Sequence, residues 1–318
     1  RIFSGRDETP PTPQPVQVLH HNGVVLSLLP NGRIDAWALE TADHLWTSQG
    51  AGPMLAVQGS RVIDGQGVVR ALHTGDRLFE CGLSGVAVAV GEHLAVLGWH
   101  HMWREGADQS QVQGLDPSPD AACFRFEDGL LIVDPGAKFL QYLNLLSGKL
   151  EQAAKGVPIT SGACIGEWIY LVREREVHRW DSTLTHSEIL DQRHRQQTLS
   201  VAKDCTAGIS KGILGCWDAR QDTLHELPGP PPTRPTVLRM GERIVCETWQ
   251  GLAICGPDAP PRCIDLPLGR RKSRPLDARV ALCSAGPEHV LLAAYPPQVI
   301  DLNTGRRSLA LAPPPADD

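Results

Sequence analysis

Apolar residues in this chain come in short runs broken by small or charged turn residues, and the three-to-four spacing of an amphipathic helix is nearly absent. Residues 163–190, ACIGEWIYLVREREVHRWDSTLTHSEIL, show the pattern. An apolar stretch ends at a Gly-Glu turn, WIYLV follows, a charged RERE turn leads to VHRW, and DSTLT leads to HSEIL. This predicts four short strands, A to D, joined by hairpin turns.

The cycle recurs. A small turn precedes an apolar strand at Asn22-Gly23 (VVLSLL), Gly59-Ser60 (RVID), Gly91-Glu92 (HLAVLG) and Asp128-Gly129 (LLIV). It does so again at Gly166-Glu167, at Gly208 with a weaker signal, at Gly241-Glu242 and at Gly286 with Glu288. These starts lie about 38 residues apart on average, a spacing that marks a repeat architecture. A second marker joins strands C and D: Thr41-Ala42-Asp43, Thr74-Gly75-Asp76, Ser147-Gly148-Lys149 and Thr304-Gly305-Arg306. Four-stranded units of this size predict an all-β fold: a single β-propeller of eight short blades. Seven blades is the alternative, if the irregular third unit is an insertion. The propeller is expected over 16–312, with a Pro-rich arm at 1–15 and a tail at 313–318.

The residues GVVLSLLPNGRIDAWALETADHLW (23–46) and VVRALHTGDRLF (68–79) resemble the quinoprotein-like propeller repeat, with its "A-L" strand and T-G-K-x-x-W ending. NLLSGKLEQ (144–152) and VIDLNTGRRSL (299–309) match it more weakly, and only Trp46 holds the closing Trp position, where the other units place Phe79, Gln152 and Leu309. Trp180-Asp181 and Trp217-Asp218 are similar to the WD dipeptide of WD40 repeats, without the accompanying Gly-His pattern. The resemblance implies propeller architecture and no particular activity. Quinoprotein dehydrogenases carry large cofactor-binding insertions, for which a chain of 318 residues leaves little room.

Composition narrows the partners. Hydrophobic content of 42% and charged content of 21% are those of an ordinary globular chain. A net charge of −6 argues against general nucleic-acid binding, which depends on neutralising phosphates. No apolar run is long enough to cross a membrane as a helix, and no signal peptide is expected at Arg1. The 9 cysteines form no CxxC pair and predict free thiols in a reducing cytoplasm. Those at 81, 123, 164, 205 and 246 repeat every 41 or 42 residues, which suggests small buried side chains near inner strands.

In a propeller the A–B and C–D turns share one face, and the B–C and D–A loops share the other. The A–B turns carry Asn22, Glu92, Asp128, Glu167, Glu242 and Glu288, a broken acidic ring of residues that also suit exposed hairpins. The opposite face collects Arg193 and Arg195, Arg234, and the run Arg270, Arg271, Lys272 and Arg274. The segment GWHHMWREG adds Trp99, His100, His101, Trp103 and Arg104, expected as an exposed aromatic-basic loop or, alternatively, as part of the packing between blades, rather than as a metal site.

No Walker loop, GxGxxG, HExxH or GxSxG occurs, so the sequence names no catalytic residue and implies no cofactor. The expected function is a non-catalytic scaffold in a bacterial multi-protein or biosynthetic system. It would bind a protein or peptide with an acidic surface through the basic, loop-rich face. The alternative is a metal-assisted hydrolase or lyase at the channel mouth, with His93, His289, Glu92, Glu288 and His21 as candidate ligands.

Overall fold

The computed structural model describes residues 15–311, apart from short stretches at 53, 118–121, 127–128, 134–138, 146, 156–158, 166–167, 174–175, 181–186, 192–196, 203–204, 211–212, 219–220, 222, 230–235, 249, 258, 267–281 and 293–296. The strands fall into eight four-stranded antiparallel sheets, each built from four consecutive strands. These blades span 17–48, 55–80, 86–111, 122–155, 159–191, 197–226, 237–265 and 282–310. The irregular third unit is itself four-stranded, with a two-residue strand D at Ser110–Gln111, which is consistent with eight blades. The expected arm and tail lie outside the described residues, save for Pro15.

The A strands form the inner ring. Gln17–His21 lies against Leu55–Gln58 of blade 2 and against Leu282–Ser284 of blade 8, so the ring closes without exchanging a strand between its ends. Hairpin chemistry sets the A–B turns. Asn22 and Gly23 both have positive φ, at 46° and 74°, the type I′ geometry that suits the right-handed twist of paired strands. Gly59, Gly91 and Gly241 each open a two-residue turn at φ near 60° (58°, 58° and 61°), the position of a type II′ turn that favours glycine. The expected turn at Gly208 is not one: Gly208 lies inside strand B of blade 6, Cys205–Ser210.

The core is a set of layers between blades. B strands such as VVLSL bury every residue because each is sandwiched. Val24, Leu26 and Leu28 face blade 2 and meet Leu55, Val62 and Leu72. Val25 points the other way, with Trp37, to Leu291 and Val299 of blade 8. The same alternation sends Leu94 and Val96 to blade 2, and Ala95 and Leu97 to blade 4. Each fully buried aliphatic side chain contributes roughly 1.5–3 kcal/mol, so stability is spread around the ring.

Polar ties register the blades. The Gln17 amide donates to Leu55 O (3.0 Å) and accepts from Leu55 N (2.7 Å), and Asn22 donates to Gly59 O (2.9 Å). The C–D turns share one wiring. In blades 1, 2, 4 and 8 the N–H of Ala42, Gly75, Gly148 or Gly305 donates to the carbonyl four residues back, and the residue there has positive φ. The hydroxyl of Thr41, Thr74, Ser147 or Thr304 accepts from the N–H two residues on. The repeated Thr/Ser-Gly pair in the sequence is this turn.

Trp46 shows what the closing position does. Its indole N–H donates to Leu72 O of blade 2 (2.9 Å), and its ring covers Gly75, where an added Cβ would lie 2.6 Å from Trp46 Cδ2. Ile264 of blade 7 covers Gly305 of blade 8 in the same manner. Smaller side chains replace Trp and keep the contact between neighbouring blades.

Candidate binding face

Six large apolar side chains are exposed among the described residues: Val16, Leu45, Leu78, Phe79, Trp99 and Ile213. Leu45, Leu78 and Phe79 lie on D strands at the outer rim. The other three lie at the B–C face: Val16 precedes strand A of blade 1, Trp99 is in the B–C turn of blade 3, and Ile213 opens strand C of blade 6.

Trp99 is the most exposed of these, at 70%. Gly98 pairs with His101, which leaves Trp99-His100 as a two-residue turn with His100 at φ 55°. That conformation costs a residue with a Cβ about 1–2 kcal/mol. Three hydrogen bonds hold it. His100 N donates to Leu115 O (2.7 Å), His100 O accepts from Val112 N (2.8 Å), and its Nδ1 accepts from Gly114 N–H (3.2 Å). The last bond keeps the ring proton on Nε2. Val112 and Leu115 are themselves buried, so the turn is anchored in the core. Trp99 leans on the His100 ring with centroids 4.7 Å apart, and the exposed His101 lies with Nδ1 3.0 Å from Trp99 O.

The rest of this segment goes elsewhere. Trp103, expected on the exposed loop, is 8% exposed and packs on Phe79 between blades 2 and 3, with ring centroids 5.7 Å apart. Arg104 ends strand C and pairs with Ala95, away from the B–C turn and half-buried. The structure therefore brings Trp99, His100 and His101 together and separates Trp103 and Arg104 from them. Arg193, Arg195, Arg234, Arg270, Arg271, Lys272 and Arg274 lie outside the described residues.

The metal candidates of the enzyme reading are dispersed. Glu92 and His93 are exposed at the A–B turn of blade 3, while Glu288 and His289 belong to blade 8, with blades 1 and 2 between. Glu288 faces Arg243 of blade 7 (3.5 Å), and His289 pairs across the sheet with Asp301. The Asp301 carboxyl is held below its usual range by the Thr304 N–H, helped by that of Asn303 and by His289. His21 ends strand A of blade 1, with its Nε2 buried and without a hydrogen-bond partner.

A different cluster was missed. Cys216 and Cys255 form a disulfide between blades 6 and 7, which corrects the expectation that every cysteine is a free thiol. Cys216, Cys246 and Cys255 have sulfurs within 4.8 Å of one another, the one such group of possible metal ligands among the described residues. Burial pushes the Cys246 thiol far up, and the neighbouring Cys205 adds to the effect. The even spacing in sequence misled here. Cys81 follows strand D, Cys123 and Cys164 lie on A strands, and Cys205 and Cys246 lie on B strands, because blades of unequal length drift against a fixed interval.

No family model and no curated protein matches the chain. Solved structures do. BamB from Moraxella catarrhalis superposes with a TM-score of 0.60 at 12% identity, covering 87% of this chain and 90% of that one. The fold is a β-propeller. PorZ, a surface component of the type-IX secretion system of Porphyromonas gingivalis, matches with a TM-score of 0.54 at 10% identity over 92% of this chain and 37% of its own. The computationally designed Ika8 protein matches with a TM-score of 0.50 at 14% identity, over 94% and 86% of the two chains. At these identities the likeness is of fold alone.

Proposed function

We propose that this propeller is a non-catalytic scaffold that binds a protein or peptide partner through its B–C and D–A face, within a bacterial multi-protein system. The observation that carries the reading is Trp99. It is a large amphipathic side chain held mostly in solvent on a rigid turn, the kind of anchor that dominates the energy of protein interfaces. Anchoring that turn in the core lowers the ordering cost of binding. The Arg-rich segments that the sequence reading assigns to the same face would favour a partner with an acidic surface.

The test is affinity capture from the source cell with the wild-type chain, a Trp99→Ala variant and a variant with Arg270, Arg271, Lys272 and Arg274 changed to Glu. A partner held by the wild type and lost by both variants supports the reading. A partner retained by both would move the binding surface elsewhere on the molecule.

A further inference from the structure

Four of the 9 cysteines meet at one blade interface. Blade 6 supplies Cys205 from strand B and Cys216 from strand C, and blade 7 supplies Cys246 and Cys255 from the same two strands. Register sets each pair on a diagonal, the two diagonals running in opposite senses. Cys216 pairs with Ala207, two residues beyond Cys205, while Cys255 pairs with Ile244, two residues before Cys246. Each blade thus offers two thiols in diagonal positions on neighbouring strands. All four side chains are 2% exposed or less, within a shell of Ala207, Leu214, Leu227, Ile244 and Ala253.

We propose that the reduced form of this cluster is a site for a thiophilic cation of the zinc class, held by Cys216, Cys246 and Cys255. The distances support it. Thiolates around zinc sit about 2.3 Å from the metal, which sets sulfur-to-sulfur separations of about 3.8 Å in a tetrahedron. The three sulfurs already lie within 4.8 Å of one another, and once the disulfide opens those of Cys216 and Cys255 need only part by about 1.8 Å to reach that spacing. Donor type fits as well, since an all-sulfur set selects Zn²⁺ or Cu⁺ over hard cations.

Occupancy and the disulfide exclude each other. A dithiol reductant converts the Cys216–Cys255 bond to two thiols and becomes a disulfide itself. Zn²⁺ then displaces one proton from each of the three coordinating thiols. The blade 6–7 interface is therefore cross-linked either by a disulfide or by a metal, according to redox state. Because the cluster is fully buried, metal enters as the blades close during folding.

The experiment uses the full chain, refolded with excess dithiol and one equivalent of Zn²⁺ or Co²⁺, then desalted. Expected are one bound metal per chain and, with Co²⁺, thiolate-to-metal charge-transfer bands. Cys246→Ser keeps both partners of the disulfide, so its oxidised form reports folding independently. After reduction it should retain at least about tenfold less metal, as even loss of a ligand's supporting contact costs that much. Protein refolded without reductant should hold no metal at this site. The proposal is overturned if the reduced wild type folds yet binds no metal, or if Cys246→Ser binds as much as the wild type. Either result would leave the cluster as a disulfide staple only.

Discussion

Gly75 and Ala42 occupy the same place in the C–D turns of blades 2 and 1, and substitutions there should act in opposite directions. At Gly75, φ is +75° and an added Cβ would strike the Trp46 ring. Gly75→Ala should cost about 2–4 kcal/mol, from left-handed strain and overpacking together. Ala42 already bears a Cβ at φ 64°, so Ala42→Gly should be neutral or stabilising by up to about 1 kcal/mol. Urea midpoints of the two variants check both signs. Asp64 gives a pH test. Burial raises its pKa, against the lowering effect of the Val68 and Gln66 N–H groups and of Arg70, 3.9 Å away. A raised folded pKa means that the native state holds its proton to higher pH than the unfolded chain. The resulting stabilisation is complete below the unfolded value, about 3.9, and is lost as pH rises through the folded one. The stability of the wild type relative to Asp64→Asn should therefore be greatest in acid and decline toward neutrality. A difference that grows with pH would refute the assignment. The turn residues at this scale were legible in the sequence because φ > 0 restricts composition. The docking of Trp46 on Gly75 was not, since it joins residues of different blades.

Blades were legible as elements because B strands such as VVLSL and GLLIV carry apolar runs, and the A–B turns before them carry small or polar residues. The exceptions have physical causes. Gly208 was mistaken for a turn because a strand glycine and a turn glycine look alike in sequence; the paired strand through 205–210 decides between them. The cysteine interval concealed a place where cysteines of adjacent blades coincide. That place carries the prediction at this scale. The Cys216–Cys255 bond closes a loop with a sequence separation of 39, for which the chain-entropy relation gives about 3–4 kcal/mol. Under non-reducing conditions with a chelator present, Cys216→Ala/Cys255→Ala should unfold at lower urea by that amount. Adding dithiol with the chelator should bring the wild type down toward the variant. If reductant leaves the wild-type midpoint unchanged, the bond does not staple these blades.

Across the whole molecule, two tryptophans separate what closes the ring from what the ring presents. Trp37 is fully buried at the seam where blade 1 meets blade 8, against Leu291, Val299 and Leu311. No strand is exchanged across that seam, so packing between side chains holds the first blade to the last. Trp37→Ala should therefore cost about 3–5 kcal/mol, the range for a large buried aromatic, and should loosen the seam before other blade interfaces. Hydrogen exchange would place that loss of protection in 17–28 and 282–292 first. Trp99 sits on the same scaffold with its indole in solvent, so Trp99→Ala should change stability by no more than about 0.5 kcal/mol. If the B–C face binds the partner, the same variant should weaken binding at least about tenfold, as loss of an interface anchor does. Measuring both quantities on both variants makes the test sharp. A Trp99→Ala protein that unfolds early would assign this side chain to the fold. One that is stable and binds normally would remove the B–C turn of blade 3 from the interface.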